Sequence, residues 1–548
     1  MRSGTDHVKH LASGGGKGTF DTVLIIRLVV ASVIFAVSLI IKGLPGFVST
    51  IMLIVSAIVA GYDIIIDAVS CISEKNFFAT PVVVVVITLV SYIIGFGVDG
   101  AALIVLYQIG LLLVDYAEER TRLSALDLLH YQDEETVSKV TELVFQENAG
   151  YMGIEHSMRY SAGSILKLAV IFSVIYAIAL PIFTNYSFAV SIHRAMMIIL
   201  IATPMSIVIS MPLTGIIGMC FSARHGVIFE NAASMEAASA ADTAIFDNAG
   251  IFTEGTPRLI SLNSDFIDNN TFLTFVAHAL YYSEQPVAKA VAAAYTKGYR
   301  PDLVSNFKDI PGYGVELDIG GGHLVLAVRE LFEGRGIKIP SDESEEGQTF
   351  YMTISDRYVG RLVIDSELNQ GAEELVAGLE EAGIRRCVLV TEDGNSESRR
   401  VADEMDFHEV YGECSTEKKL QIIEDLKTGS KNPVMYIYSK GIESHSAADV
   451  DIRVGNRGSY ADALIKPDYL ANLPFSIQVC KRMHEIAIEN ALFAYLVKIF
   501  LIFLSLIGYC NLWFAIFIDM VAAAATILNA SRVTSESLIS SLLYKTGR

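Results

Sequence analysis

The hydrophobic positions of this chain gather in long blocks rather than in stripes. Eight stretches, roughly 20–42, 46–68, 78–96, 99–116, 165–184, 192–220, 487–508 and 511–529, are apolar almost throughout. Each approaches the ~20 residues that a helix needs to cross the hydrocarbon core of a bilayer. Backbone groups in lipid must pair within the segment, so these blocks predict transmembrane helices 1–4 over 20–116, helices 5–6 over 165–221 and helices 7–8 over 485–530. Between the sixth and seventh blocks the pattern changes to that of a water-soluble α/β protein. The run "TAIFD" opens it over 222–257. Over 361–484, "GRLVI", "RRCVLVT" and "VMYIY" alternate with "GAEELVAGLEEAG", "SRRVADEMD" and "KKLQIIEDLKTG". Strands alternating with amphipathic helices predict a parallel sheet covered on both faces. Residues 258–360 read instead as a β-rich α+β insertion, with turns at "IGGGH" and "SDESEEGQ" and a helix at "PVAKAVAAAYTKG". The predicted class is therefore a polytopic α-helical membrane protein with an α/β domain interrupted by a second domain.

Three short polar segments complete the division. Residues 1–19 contain "SGGGKG", which no strand precedes, so it reads as a flexible tail and not as a phosphate loop. Residues 117–164 carry apolar positions at helical spacing with charges between them, which predicts short helices and leaves little room for a β domain. Residues 531–548 form a C-terminal tail.

Charge adds an orientation. Lys75, Arg120, Arg122, Lys167, Arg224, Lys481, Arg482 and Arg532 share one side if the segments alternate, with Lys42 and Arg194 on the other. Cations accumulate on the cytoplasmic side, so the large insert and both termini are expected there, in a plasma membrane of bacterial type. No cleavage site follows the first block, which is expected to be retained. Composition agrees with a membrane protein: 52% of residues are hydrophobic and the mean hydropathy is +0.45. The net charge of −20 argues against nucleic acid as a partner. Six scattered cysteines with no CxxC pair suit buried thiols in a reducing compartment.

The candidate chemistry begins at "TAIFDNAGIFTEG", where Asp247 ends an apolar run and small residues follow. In α/β domains such a strand end presents a carboxylate nucleophile. Around it, "SARHGVIFENAASMEAASAADTAIFDNAGIFTEGTPRL", "SEQPVAKAV", "GYGVE", "LVTEDGN", "KGIESHSAADVDI" and "LWFAIFIDMVAAAATILNASRV" occur in that order. This series resembles the heavy-metal-transporting P-type ATPases, most closely their zinc/cadmium/lead-type exporters, over nearly the whole chain except 117–164. The resemblance implies a haloacid dehalogenase-like (HAD-like) phosphorylation domain interrupted by a nucleotide-binding domain. It makes Asp247 the phosphoacceptor position, Lys419 the phosphate-contacting lysine, and Thr391 and Asp393 remnants of the TGD loop.

Several positions depart from that pattern. Asn248, Ala249 and Ile251 replace the lysine and threonines of the DKTGT motif. Lys440 and Ser444 stand where the family's Mg²⁺-ligating aspartates would be, and an ammonium repels a hard cation. The Mg²⁺ site is therefore expected to be lost, with Lys440 pairing with Asp247 instead. Gln285 replaces the adenine-contacting histidine, while Gly312 and Gly314 retain the close-approach turn, so ATP binding is expected to be weak and indifferent to Mg²⁺. The actuator domain with its TGE loop, which the family carries between the fourth and fifth helices, has no counterpart in 117–164.

In the membrane, Thr203, Pro204 and Met205 occupy the family's Cys-Pro-Cys position, and the proline is expected to interrupt the helix. Loss of two thiolates removes the strongest ligands for a borderline metal. Lys498 and Asp519 match the lysine and aspartate of zinc-type exporters and lie at similar depth on consecutive helices. They are expected to pair, because an unpaired charge there costs at least ~2.5 kcal/mol. Asp99 is expected at the interface, and Arg27 to snorkel or pair.

Two functions fit this sequence. One is a catalytically impaired pseudo-pump that regulates, scaffolds or senses metal, with an intact pump or other protein as partner. The other is a divergent ATP-driven exporter of a transition metal; a passive conduit is a third option. The missing Mg²⁺ and actuator parts weigh toward the first.

Overall fold

The computed structural model describes residues 22–41, 45–129, 132–146, 152–203, 205–247, 251–252, 258–283, 285–310, 313–340, 348–365, 372–391, 405, 407–412, 414–439, 448–455 and 461–535. The glycine-rich tail, the turn at 341–347 and all but Met405 of the helix expected at 398–406 lie outside the described residues. Two compact units emerge, one of Met1–Ser239 with Gln478–Leu542 and one of Ala240–Ile477 with Leu543–Arg548.

The first unit opens with helices α1 (Thr22–Ile40), α2 (Gly46–Ser73), α3 (Thr80–Ile93) and α4 (Gly97–Asp127). Ala31, Ala57, Ala60, Ile64, Ala101 and Ile104 meet in their shared core. Close packing is built in: a Cβ on Gly61 would come within 2.8 Å of Ile104. Without a hydrophobic force between helices in lipid, such close contact is the main source of association. The interval after α4 contains helix α5 (Glu134–Val144), capped by Asp133, which accepts the Thr136 N–H. Leu126, Leu129, Val140 and Val144 are buried there, and Arg122 donates to the Val144 carbonyl at 3.0 Å. Gln132 donates to the carbonyl of Arg224 at 2.6 Å. The segment is thus a compact helical brace. Then come α6 (Gly153–Phe183), α7 (Phe188–Ile201), α8 (Met205–Arg224), strand β1 (Val227–Phe229) and α9 (Ala232–Ala240). The sixth apolar block is therefore two helices, with the break beside Pro204, which is itself outside the described residues.

The second unit holds two sheets. Strand β2 (Thr243–Asp247) opens the parallel one, whose strands within this unit run β13-β12-β11-β2-β9-β10. These are β9 (Arg386–Val390), β10 (Glu409–Tyr411), β11 (Val434–Tyr438), β12 (Val450–Val454) and β13 (Ala463–Ile465). Strand β2 sits between β11 and β9 and is buried throughout, which explains its unbroken apolar run. The other sheet is antiparallel, in the order β3-β8-β7-β6-β5-β4. It comprises β3 (Arg258–Ser264), β4 (Val304–Ile310), β5 (Gly314–Ile319), β6 (Gly322–Ala327), β7 (Gln348–Ile354) and β8 (Arg357–Asp365). The run "GRLVI" belongs here, in β8 between β3 and β7, and not in the parallel sheet as its place in the alternation suggested. Its side chains explain this. Leu362 and Ile364 face the α+β core with Phe350 and Leu324. That core is closed by α10 (Asn269–Ala279), which the sequence reading missed, and by α11 (Pro286–Ala294), shorter than expected. Helix α12 (Arg329–Gly334) buries Phe332 with Val325, Ala327 and Tyr351. Helices α13 (Ala372–Glu381) and α14 (Thr416–Gly429) belong to the parallel-sheet part.

The chain ends with α15 (Leu473–Ile507) and α16 (Leu512–Ala530). Among the described residues, six helices are long and apolar enough to cross a membrane, and α3 and α7 are shorter apolar helices. Outward-facing Ile171, Ile175, Ile178 and Ile182 on α6 form the kind of surface that lipid covers.

Candidate functional site

Asp247 is the last residue of a central strand of the parallel sheet, opposite Val390 of β9. Open α/β sheets bind ligands at the carboxyl ends of their strands, so the fold places this carboxylate where chemistry would occur. It is only 2% exposed. Lys419, 4% exposed, reaches in from the first turns of α14, and its Nζ lies 2.8 Å from Asp247 Oδ2. Ser415 caps that helix by accepting the Lys418 N–H, which fixes the origin of the lysine. The Tyr436 hydroxyl, from β11, donates to the same Oδ2 at 3.4 Å. Burial, and then the adjacent Asp247 charge, push the Tyr436 phenol far above its ordinary range, so it stays protonated. Thr391 is buried at the end of β9, and its N–H donates to the Tyr411 carbonyl at 3.0 Å.

One oxygen of the candidate nucleophile thus receives an ammonium and a phenol. Lys440, the cation expected to pair with Asp247, lies outside the described residues, as do Ser444, Asn248, Ala249 and Asp393. Among the described residues, Lys419 is the cation that holds the carboxylate. Tyr436 was not foreseen, because a tyrosine inside "VMYIY" carries no signal that separates it from ordinary core.

Phosphoryl transfer in such a site requires Mg²⁺ to offset charge on the transferring group. A hard dication wants several oxygens, and among the described residues Asp247 Oδ2 already accepts from an ammonium and a phenol.

Two of the positions expected to meet a nucleotide, Gln285 and Gly314, are engaged by the chain itself. The Gln285 amide donates to Asp309, to the Ile310 carbonyl at 3.2 Å and to the Gly314 carbonyl at 3.0 Å. Gly314 has a structural reason to be glycine. Its φ is +144°, and a Cβ would stand 2.1 Å from the Leu326 carbonyl on the paired strand. Gly312 lies outside the described residues.

In the membrane unit, Lys498 of α15 and Asp519 of α16 meet at 2.9 Å. The Lys498 ammonium also donates to the Ile201 carbonyl at 3.2 Å. That carbonyl is available because α7 ends there, leaving its last acceptors without helical partners. Asp519 and Thr203 line a small cavity of about 40 Å³ with Tyr107 and Ile201. The Thr203 hydroxyl is spent on the Leu200 carbonyl at 2.7 Å. Met205 begins α8, and no thiolate lines the cavity among the described residues. Elsewhere in this unit Arg27 pairs with Asp63 at 2.9 Å, while Asp99 lies 3.5 Å from His193. Among the described residues no cluster of three His, Cys, Asp or Glu could hold a metal ion.

A central strand ending in a buried carboxylate, with a lysine from a following helix, defines a HAD-type domain, here within a polytopic membrane protein. The haloacid dehalogenase-like hydrolase family matches residues 241–437. The chain is 25% identical over 411 residues to the cadmium, zinc and cobalt-transporting ATPase of Bacillus subtilis, covering 73% of this chain and 58% of that protein. It is 26% identical to the zinc-transporting ATPase of a Synechocystis species, covering 73% and 57%. A crystal structure of a zinc-transporting PIB-type ATPase in an E2.Pi state shares the fold, with a TM-score of 0.61 at 18% identity, covering 93% of this chain and 99% of that one. Over about three quarters of its length the chain is thus similar to heavy-metal-transporting P-type ATPases. It spans a little under three fifths of the length of the curated relatives it matches, as the 58% and 57% show.

Proposed function

We propose that this protein is a pseudo-pump: a P-type ATPase framework that regulates, scaffolds or senses transition metal without a phosphorylation cycle. The observation that carries this reading is the state of Asp247. Its carboxylate oxygen is held by Lys419 and Tyr436, and Lys440 and Ser444 replace the oxygen ligands of Mg²⁺. The helical brace between α4 and α6 supports it, since that interval has no room for an actuator domain. On this reading the insert and both termini are cytoplasmic, and ATP binds weakly if at all. The working partner is an intact pump or a protein that supplies the missing lever.

A second reading, a divergent ATP-driven exporter, is favoured by one feature: the Lys498–Asp519 pair remains beside a cavity, in a chain related to zinc and cadmium transporters. ATP hydrolysis by the purified full chain, measured with Mg²⁺ and with Zn²⁺, Cd²⁺ or Co²⁺, separates the two. A pseudo-pump shows no metal-stimulated turnover above the Asp247→Asn variant. Stimulation abolished by that substitution supports the exporter.

A further inference from the structure

Arg194 lies in α7, about 9 Å along the helix from its first residue, Phe188, at 1.5 Å per residue. Helical side chains lean toward the N-terminus, so this arginine reaches back toward the turn between α6 and α7. Its guanidinium carbon stands 4.4 Å from the centre of the Tyr186 ring in that turn. Its polar neighbours include the hydroxyls of Tyr186 and Tyr176. It also packs on the turn joining α15 to α16, where a Cβ on Gly508 would meet Nη2 at 2.5 Å. Tyr176 holds these elements together, because its hydroxyl donates to the Leu506 carbonyl at 2.9 Å and so ties α6 to α15.

The chain offers this cation no counter-charge. Four short turns, 41–45, 94–96, 184–187 and 508–511, share one side of the membrane if the helices alternate, and none contains Asp or Glu. Asp99, in the first turn of α4, faces His193 at 3.5 Å. Among the described residues no carboxylate pairs with Arg194. A charge carried by a membrane helix is costly without a partner, so the compensating charge has to come from outside the chain.

The surroundings select its source. Phe183 and Phe188, at the facing ends of α6 and α7, are exposed, as are Tyr186 and Tyr509 in the two turns. Aromatic residues take such positions at the level of lipid headgroups. Beside them Phe172 and Ile175 of α6, and Ile499 and Phe503 of α15, are exposed apolar surface for acyl chains. The guanidinium is planar and weakly hydrated, and its fork of N–H donors matches two phosphate oxygens at once. Held over Tyr186 and against Gly508, it has little freedom left to lose on binding.

We propose that Arg194 binds the phosphodiester of an anionic phospholipid, with the headgroup at the α6–α7 and α15–α16 turns and the acyl chains along α6 and α15. A headgroup without an ammonium of its own fits best, since a second cation beside the guanidinium is repelled. Lipid in this position braces the ends of α6, α7 and α15. The site uses neither Asp247 nor the Lys498–Asp519 pair, and it stands whether or not the protein hydrolyses ATP.

The test is native mass spectrometry and thermal melts of the full chain, delipidated in detergent. The probes are dioleoylphosphatidylglycerol, dioleoylphosphatidylcholine and inorganic phosphate. Phosphatidylglycerol should bind saturably and raise the thermal midpoint, and phosphatidylcholine should bind about tenfold more weakly. Inorganic phosphate should not displace the lipid. Arg194→Gln should raise the Kd for phosphatidylglycerol about tenfold, and Arg194→Lys, which keeps the charge but loses the fork, should fall between. Lys42→Gln, which removes the other cation assigned to this side, should leave that Kd unchanged. Equal affinity for the two lipids overturns the proposal, and this comparison decides alone if Arg194→Gln does not fold. So does an unchanged Kd in Arg194→Gln, an equal loss in Lys42→Gln, or displacement by inorganic phosphate, which would mark a site for free anions.

Discussion

At the residue scale the account rests on a buried carboxylate held by Lys419 and Tyr436. Removing one member of such a pair leaves an uncompensated charge, at a cost on the order of 3–5 kcal/mol. Lys419→Met should therefore lower the thermal midpoint sharply, and Lys419→Met combined with Asp247→Asn should recover much of the loss. Equal midpoints for wild type and Lys419→Met would remove the pairing argument. Tyr436 adds a pH dependence with a definite sign. Its folded pKa lies above the ordinary 10.0, so the neutral phenol is favoured in the fold. The stability this gives is complete below pH 10 and is lost as pH rises beyond it. In alkaline melts Tyr436→Phe should show a smaller decline above pH 10 than the wild type does. Asp247 and Lys419 were visible in the sequence because ordered motifs surround them. Tyr436 was not, since only the sheet register brings it beside Asp247.

At the scale of elements, α15 and α16 are joined through a short turn, and the Lys498–Asp519 pair lies between them. Asp519→Ala should destabilise the protein more than Lys498→Met combined with Asp519→Leu, because the double change leaves no stranded charge. Detergent melts that rank the variants in the opposite order would show that the pair is not holding these helices. The hairpin of β5 and β6 carries a second switchable contact. His323 bridges Asp318 at 2.9 Å and Glu316 at 3.0 Å, while Arg335 reaches Glu316 at 2.8 Å. Hydrogen bonding to Asp318 raises the His323 pKa against the opposing effect of burial, with Glu316 adding to the rise. Such a group stabilises most below pH 6.5 and loses its effect as pH rises through the folded pKa. His323→Gln should lower the midpoint at pH 5.5 and leave it nearly unchanged at pH 9.

At the scale of the whole molecule, the sequence carried the membrane blocks well because a bilayer demands long uninterrupted apolar runs. The parallel sheet was legible for a similar reason, since strands buried on both faces read as continuous runs such as "TAIFD" and "VMYIY". Strand β8 was assigned to the wrong sheet because an apolar run states burial and not its partner. Helix α10 was missed although Asp268 caps it by accepting the Asn270 and Thr271 N–H groups, a signal available in "DNNT". Gln285 stands at the expected adenine-contacting position, and its amide also ties α11 to the ends of β4 and β5, a role that spacing does not express.

The central claim is that Asp247 no longer accepts a phosphoryl group, and acid-stable labelling tests it most directly. The full chain is incubated with [γ-³²P]ATP and Mg²⁺, with and without Zn²⁺, then acid-quenched beside Asp247→Asn. The account predicts no label above the variant in either condition. A zinc-dependent label that vanishes in Asp247→Asn would contradict it and establish a working pump.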